Sequence, residues 1–313
     1  MRFLCAALLC LMLSALSPTA KGADLTYNLD PQKIADGVYA FIGSTQHFNR
    51  NNGGNIVNTG FIVGETGVIV IDTGPSALYG REMRAAIRQV TPKPVTHIIL
   101  THHHPDHIFG TQAFVGAEVL ALAETRQAID IEGEGLLENM YHMVGDWMLG
   151  TELIKPTKSV LTSKDILAGR SIQFIPFNGH TAGDLTILDE KTGVLFAGDL
   201  VFHNRTATTP HAVLSIWIDA LDNLADLTYS TIVPGHGPVE NDGRSIRQTR
   251  DYLVWLQDTL QKAVSEGMEM TEVMRILRPI RFNALSLDKV EYHRSIAHLW
   301  PSLVEKNLPL LDQ

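Results

Sequence analysis

Thr101-His102-His103-His104-Pro105-Asp106-His107 follows directly on the apolar run Val95–Leu100, and this stretch decides how the rest of the chain is read. Three consecutive imidazoles, a carboxylate and a fourth imidazole, placed where a strand should end, look like half of a two-metal site. Imidazole nitrogen with a few carboxylates suits zinc, and iron or manganese can occupy similar sites. Spacing divides the labour within the cluster. His102 and His104 are two residues apart at a strand end, so their rings can point the same way; Asp106 and His107 fall on the first turn of a following helix and face a second position. His103, between the first pair, should point away and reads as a spacer. Pro105 fits a first helical turn, where its missing N–H is not needed, and the positive end of that helix favours the ionised form of Asp106.

Working outward, strands and tight turns precede the cluster. Gly37–Ile42 is a short apolar segment, Asn51–Asn55 a turn, and Ile56–Val63 with Gly67–Ile71 a hairpin whose second strand ends at Asp72. Ser76–Val90 has helical spacing, with Leu78, Met83, Ala86, Ile87 and Val90 on one face. Beyond the cluster, the helix begun at Pro105 is expected to reach Phe114, with a strand at Ala117–Ala121 and helix and loop from Ala123 to Gly150. Ile172–Phe177 is a strand ending at His180, Leu185–Leu188 and Val194–Ala197 a hairpin ending at Asp199, Leu214–Leu227 a helix, and Thr231–Val233 a strand ending at His236. Arg244–Glu266, Thr271–Leu277 and Leu287–Leu308 then favour helix. Four separate strands thus run into short loops that carry ligand-type residues. Ends of neighbouring strands converge in space, so a cluster at one sheet edge follows.

The run THHHPDH, with GHTAGD around His180, GDL at Asp199 and PGHG at His236 in this order, resembles the metallo-β-lactamase superfamily over nearly everything from Asp36 to Val239. The resemblance implies an α+β fold, a four-layer αββα sandwich here carrying a C-terminal helical extension. It also implies two zinc ions, one on His102, His104 and His180, the other on Asp106, His107 and His236, with Asp199 bridging both. Asp72 matches the family's early aspartate, which orients a ligand histidine from behind. Cysteine-ligand β-lactamases place a thiolate where this chain has Asp199. An aspartate there looks like the glyoxalase II and general thioesterase or phosphodiesterase branch. The stretches Asn55–Ser76 and Gly198–Arg205 further resemble exported zinc metallohydrolases related to SoxH and associated with quinoprotein dehydrogenase systems.

The remaining bounds come from composition. With 313 residues, 45% hydrophobic and 19% charged, the chain suits one sizeable globular domain with an extension. Residues 1–22 read as a secretory signal peptide: Arg2 precedes an apolar run from Phe3 to Leu13 that is shorter than the ~20 residues a spanning helix needs. The hydrolase domain is expected over 23–240 and the helical extension over 241–313, in a periplasmic or secreted protein with no stable membrane anchor after cleavage. Cys5 and Cys10 both lie in the leader, so the mature chain offers no thiolate. Loss of Arg2 and Lys21 takes the formal net charge from −9 to −11, which excludes an ordinary nucleic-acid binder, since phosphate neutralisation needs a basic face.

The expected reaction is hydrolysis of a small molecule: a hydroxide held between the metals, its pKa brought to ~7, attacks an ester, thioester, lactone or related bond while Asp106, the one catalytic carboxylate, orients it. β-Lactam hydrolysis is an alternative, as is a non-catalytic metal-binding accessory role beside a quinoprotein dehydrogenase. Iron redox chemistry of the flavodiiron kind is disfavoured because that pattern carries glutamate where His104 stands. His203 and Arg205 are candidate substrate contacts, Arg281, Phe282 and Asn283 could reach the pocket from the tail, and Asp184 fixes the GHTAGD turn. His211, like His203 and Arg205, could touch substrate or be a hydrogen-bonded loop histidine, and His47 has no partner pattern in the sequence.

Overall fold

The computed structural model describes residues 25–307, so the leader reading lies outside the described residues. Strands β1 (Gln32–Ala35), β2 (Val38–Phe41), β3 (Thr59–Val63) and β4 (Val68–Ile71) form an antiparallel meander. Helix α1 (Ala77–Val90) crosses over to β5 (Val95–Ile99), and the one-turn helix α2 (Pro105–Ile108) precedes β6 (Glu118–Ala121). Helix α3 (Ala123–Val144) leads to β7 (Lys158–Ser159), and β4 to β7 pair in parallel, completing a seven-stranded sheet in sequence order. The second sheet has five strands, β8 (Lys164–Leu167), β9 (Arg170–Phe177), β10 (Asp184–Asp189), β11 (Val194–Phe202) and, after helix α4 (Leu214–Ala225), β12 (Thr231–His236). Its only parallel pair among the described residues is β11 with β12. Helices α5 (Arg244–Ser265), α6 (Met270–Val273), α7 (Ile280–Asn283) and α8 (Asp288–Asn307) close the chain. No helix among the described residues is long and apolar enough to cross a membrane.

The four layers follow from the two-residue side-chain period of a strand. In β4 all four residues are buried, but Val68 and Val70 face Met83 and Ile87 of α1 whereas Ile69 and Ile71 face the second sheet. Ile172, Phe174, Leu185, Ile187 and Phe196 meet them there. The outer face of the second sheet, with Leu188, Leu195 and Ala197, packs on Trp217 and Leu221 of α4, Leu253 and Leu256 of α5, and Tyr292 and Ile296 of α8. The C-terminal helices therefore share a core with the second sheet.

Three strands escaped the sequence reading. β1, β7 and β8 are edge or near-edge segments whose residues (QKIA, KS, KDIL) are mostly exposed or half-exposed, so no apolar alternation marks them. The helix after Pro105 is also shorter than expected: it ends at Ile108 and a 3-10 turn covers Thr111–Ala113. Glycine is required beyond its end, since a Cβ on Gly110 would lie 1.9 Å from the Thr73 carbonyl oxygen, and one on Gly80 of α1 only 2.1 Å from that of Gly110. Finally, β11 and β12 run through Asp199 and His236 instead of ending before them. Gly198, at φ +53°, makes the irregularity in their pairing that the expected strand end had stood for.

Candidate metal centre

The ends of four strands and the first turn of α2 meet over one edge of the sandwich. His102 and His104 leave β5, Asp106 and His107 lie on α2, and His180 sits between β9 and β10. Asp199 projects from the irregular part of β11, and His236 is the last residue of β12. All seven are buried. Their atoms fall into two adjoining groups, each able to hold a metal ion. In the first, His104 Nδ1 lies 3.0 Å from His102 Nε2 and 2.9 Å from His180 Nε2, with Asp199 Oδ2 3.4 Å from His180 Nε2. In the second, Asp106 Oδ2 is 3.8 Å from His107 Nε2 and 3.5 Å from His236 Nε2. Asp199 faces both, its Oδ1 3.2 Å from His107 Nε2 and its Oδ2 3.1 Å from His236 Nε2.

A ring of outer hydrogen bonds aims these groups. The backbone N–H and hydroxyl of Thr101 each donate to Asp72 at 2.8 Å, and His107 Nδ1–H donates to Asp72 Oδ2 at 2.7 Å. That turns His107 Nε2 towards the cluster. With a metal on Nε2, His236 would do the same through Nδ1–H to the Ile56 carbonyl at 2.7 Å, and His102 Nδ1 lies 3.0 Å from the Thr101 hydroxyl. His104 is turned the other way, with Nδ1 inward and Nε2 2.8 Å from His211 Nδ1. Asp72 holds a left-handed backbone at φ +54°, uncommon outside glycine and here part of how β4 delivers its carboxylate.

Electrostatics separate the two groups. Burial, reinforced by neighbouring imidazoles, holds His102 and His104 well below the usual histidine range and His180 at about 3, so all three stay neutral. His107 is also buried, but Asp72, Asp199 and Asp106 outweigh the desolvation and lift its pKa well above the ordinary value. Burial works against a charged Asp199 too, yet His236 and His107 hold its carboxyl well below the usual range.

Neutral imidazoles whose ring nitrogens converge at 2.9–3.0 Å cannot all satisfy one another, because His104 Nδ1 faces two of them and carries at most one proton. His107 Nε2 and Asp199 Oδ1 are moreover buried without a hydrogen-bond partner among the described residues. A cation in each group satisfies all of these atoms at once. Zinc–nitrogen bonds of about 2.0–2.1 Å put tetrahedral ligand atoms ~3.3 Å apart, close to the spacings seen. The donor set therefore fits two divalent ions.

Of the other sequence candidates, Arg205 lines the cavity above the centre whereas His203 does not. His203 Nδ1–H donates to the Pro238 carbonyl at 2.7 Å, and its own carbonyl passes so close to Gly237 that a Cβ there would stand 1.8 Å away. That packing fixes the imidazole behind β12. Arg281 is exposed and pairs with Asp251, and Phe282 packs against Tyr252 and Trp255, so α7 does not reach the cavity; α8 does, through Arg294. Asp184 accepts the Thr181 N–H and hydroxyl and so ties the GHTAGD turn, burial pushing its carboxyl up to about 7. His103 is turned from His102 and lies 3.6 Å from Glu132 of α3. His211, which the sequence offered as a possible substrate contact, lines the cavity, and so does His47, which it did not. The signal for Arg294 was a charged i, i+3 pair, Glu291 and Arg294, on α8.

Three comparisons place the chain. The profile of the Metallo-beta-lactamase superfamily matches residues 52–236, more than half of the chain, and the chain belongs to that superfamily. It is 25% identical over 278 residues to a linear primary-alkylsulfatase of Pseudomonas sp. (strain ATCC 19151), covering 74% of this chain and 52% of the relative, so it spans about half that protein's length. It is 24% identical over 226 residues to the acyl-coenzyme A thioesterase MBLAC2 of Bos taurus, covering 64% of this chain and 80% of the other. Among solved structures, a metallo-beta-lactamase from Pontibacter korlensis superposes with TM-score 0.59 at 22% identity, covering 72% of this chain and 99% of that one. The sec-alkylsulfatase Pisa1 from Pseudomonas sp. superposes with TM-score 0.66 at 14% identity, covering 90% and 51%. Hydrolases are among these relatives, an alkylsulfatase and an acyl-coenzyme A thioesterase.

Proposed function

We propose that this member of the metallo-beta-lactamase superfamily is an exported, binuclear zinc hydrolase of ester-type bonds. The observation that carries the reading is Asp199, whose two oxygens lie 3.2 Å and 3.1 Å from nitrogens of His107 and His236 while one also stands 3.4 Å from His180. His102, His104 and His180 would hold one ion, Asp106, His107 and His236 the other, and Asp199 would join them. Bound there, two such ions lower the pKa of water to about 7 and draw charge from the oxygen of the scissile bond. The protein's own part is orientation. Asp72 and the Ile56 carbonyl fix which nitrogen of His107 and His236 faces the centre, and Asp106, which lines the cavity, helps to orient the attacking nucleophile.

The alkylsulfatase and thioesterase relatives support a reaction in which water cleaves a sulfate ester or a thioester. Export rests on the leader-like residues 1–22, and a working link to a quinoprotein dehydrogenase on the SoxH-like stretches. The test is metal analysis of the purified protein followed by turnover of thioesters, lactones, alkyl sulfates, phosphodiesters and β-lactams. Two ions per chain and turnover that Asp106→Ala and His104→Ala abolish, with the fold intact by circular dichroism, are expected. Full activity in either folded variant would refute the assignment, and two ions with no turnover of any compound would leave the accessory role instead.

A further inference from the structure

The cavity above the centre is open to solvent and has two unlike walls. Phe48, Leu136 and Met143 make one side apolar; Arg205 and Arg294 stand among its other lining residues. Arg205 is 3% exposed, and its hydrogen bonds do not add up. Nε has no partner among the described residues, and Nη2 is 3.9 Å from Glu291 Oε1, beyond hydrogen-bond reach. Nη1 stands 2.6 Å from His236 Nδ1. That nitrogen also meets the Ile56 carbonyl at 2.7 Å, and when Nε2 faces a metal its ring proton is on Nδ1 and is donated to Ile56. A guanidinium carries five N–H donors and is never deprotonated in proteins. In the metal-bound tautomer, therefore, the buried guanidinium has no acceptor within hydrogen-bond reach among the described residues; its nearest carboxylate, Glu291, is held by charge at 3.9 Å with both oxygens also unpartnered, which is costly unless a ligand supplies acceptors to the cation.

Charge tells the same story. Glu291, fully buried, is the carboxylate beside Arg205, and it is shared with Arg294, whose Nη1 is 3.7 Å from Oε2. Two cations against one carboxylate leave a unit of positive charge at the cavity in a protein of formal net charge −9. Asp106 and Asp199, the acids that also line the cavity, are the groups assigned to the metals.

We propose that Arg205 and Arg294 form an oxyanion-binding wall and that the substrate is an amphiphilic anion, its charged group (sulfate, phosphate or carboxylate) on the guanidinium groups and its apolar chain along Phe48, Leu136 and Met143. Planar guanidinium forks match such oxygens two at a time. The C-terminal helices then serve the site: α8 brings Arg294 and Glu291, and Ser286 before it holds the Arg205 loop through Thr206 N–H to the Ser286 carbonyl at 3.0 Å. This inference rests on the hydrolase reading for the word substrate, but binding tests it separately.

Titration calorimetry of the zinc-loaded protein with octane-1-sulfonate, which cannot be hydrolysed there, is compared with octan-1-ol and with methanesulfonate. Octane-1-sulfonate should bind at least thirtyfold more tightly than either, showing that both walls are used. Arg294→Gln should weaken it at least tenfold, whereas Arg281→Gln, which removes an exposed tail arginine away from the cavity, should stay within twofold. Arg205→Lys retains the charge but not the fork and should also weaken binding; Arg294→Gln carries the test if that variant fails to fold. Equal binding of octan-1-ol and octane-1-sulfonate, or an Arg294→Gln protein indistinguishable from wild type, would overturn the proposal. Octanoate and octylphosphonate identify the preferred oxyanion. Selective binding with no turnover of any ester would defeat the hydrolase reading alone, and turnover of neutral esters without anion selectivity would defeat this one alone.

Discussion

Asp72→Asn isolates the outer hydrogen bonds from the metal ligands themselves. The Asp72 carboxylate accepts three bonds, two from Thr101 at 2.8 Å and one from His107 Nδ1–H at 2.7 Å, and asparagine can keep only those on its carbonyl oxygen. With that oxygen toward the Thr101 N–H, the new amide nitrogen faces His107 Nδ1–H, donor against donor. Removing such an outer partner typically costs 10- to 100-fold in metal affinity, about 1.4–2.7 kcal/mol. The loss should fall on the position that includes His107. The first position feels Asp72 only through the Thr101 hydroxyl, which stands 3.0 Å from His102 Nδ1, so its affinity should move by no more than about fivefold, one hydrogen bond in a relay being worth about 0.5–1 kcal/mol. Zinc titration against a chromogenic chelator resolves the two steps, and urea unfolding of the metal-free protein should show a loss of about 1.5–3 kcal/mol from the bonds to a charged acceptor. Equal weakening of both steps, or none, would refute the view that Asp72 acts through His107.

Three further outcomes are expected. Gly235→Ala places a Cβ 2.0 Å from Asp199 Oδ1 and 2.6 Å from the Gly198 carbonyl carbon, which backbone cannot cheaply relieve; both metals should be lost, and a variant that still carries two ions by mass spectrometry contradicts the shared role of Asp199. His107 is held well above the usual histidine range and is protonated at pH 7 in the metal-free protein, whereas His102, His104 and His180 lie below it and have no proton to give. Loading the second position at pH 7 should therefore release about one proton from His107 and loading the first about none from its three histidines, as read by calorimetry in buffers of different ionisation enthalpy; the reverse order rejects the assignment. Arg170→Met strands Asp189, fully buried and 2.9 Å from Arg170 Nε, and should cost about 3–5 kcal/mol in urea unfolding with metal stoichiometry unchanged.

Ligand chemistry and core pattern were legible because both are local. His102, His104, Asp106 and His107 lie within six residues, and their two-residue and helical spacings already divide them between two positions. The continuous apolar run Val68–Ile71 and the largely apolar Ile172–Phe177 mark strands whichever partner covers them. Where such a run is missing, as in β1, β7 and β8, the strands went unread, since an exposed edge is stabilised by backbone pairing that any side chain permits. Turn signals misled at Gly198 and Pro234-Gly235, because a strand can carry an irregularity and continue, and only its neighbour's register distinguishes that from an end.

The sequence by itself determined the kind of chemistry: ligand residues in a family order and, once the leader-like segment is set aside, no thiolate. Periods of two and of 3.6 residues marked most strands and helices, and the sandwich was what the resemblance to the family implied. Only the tertiary structure decided what surrounds the metal centre. It put His203 behind β12, brought His211 against His104, and carried Arg294 from the tail to the cavity that Arg205 lines. Each of those contacts joins segments 30 to more than 100 residues apart, and such distances are closed by packing of helices on a sheet, which a composition pattern states only as buried or exposed. The physical reason is that a ligand's identity resides in its own side chain, whereas a substrate site is the space left between elements, and that space exists only once they have packed.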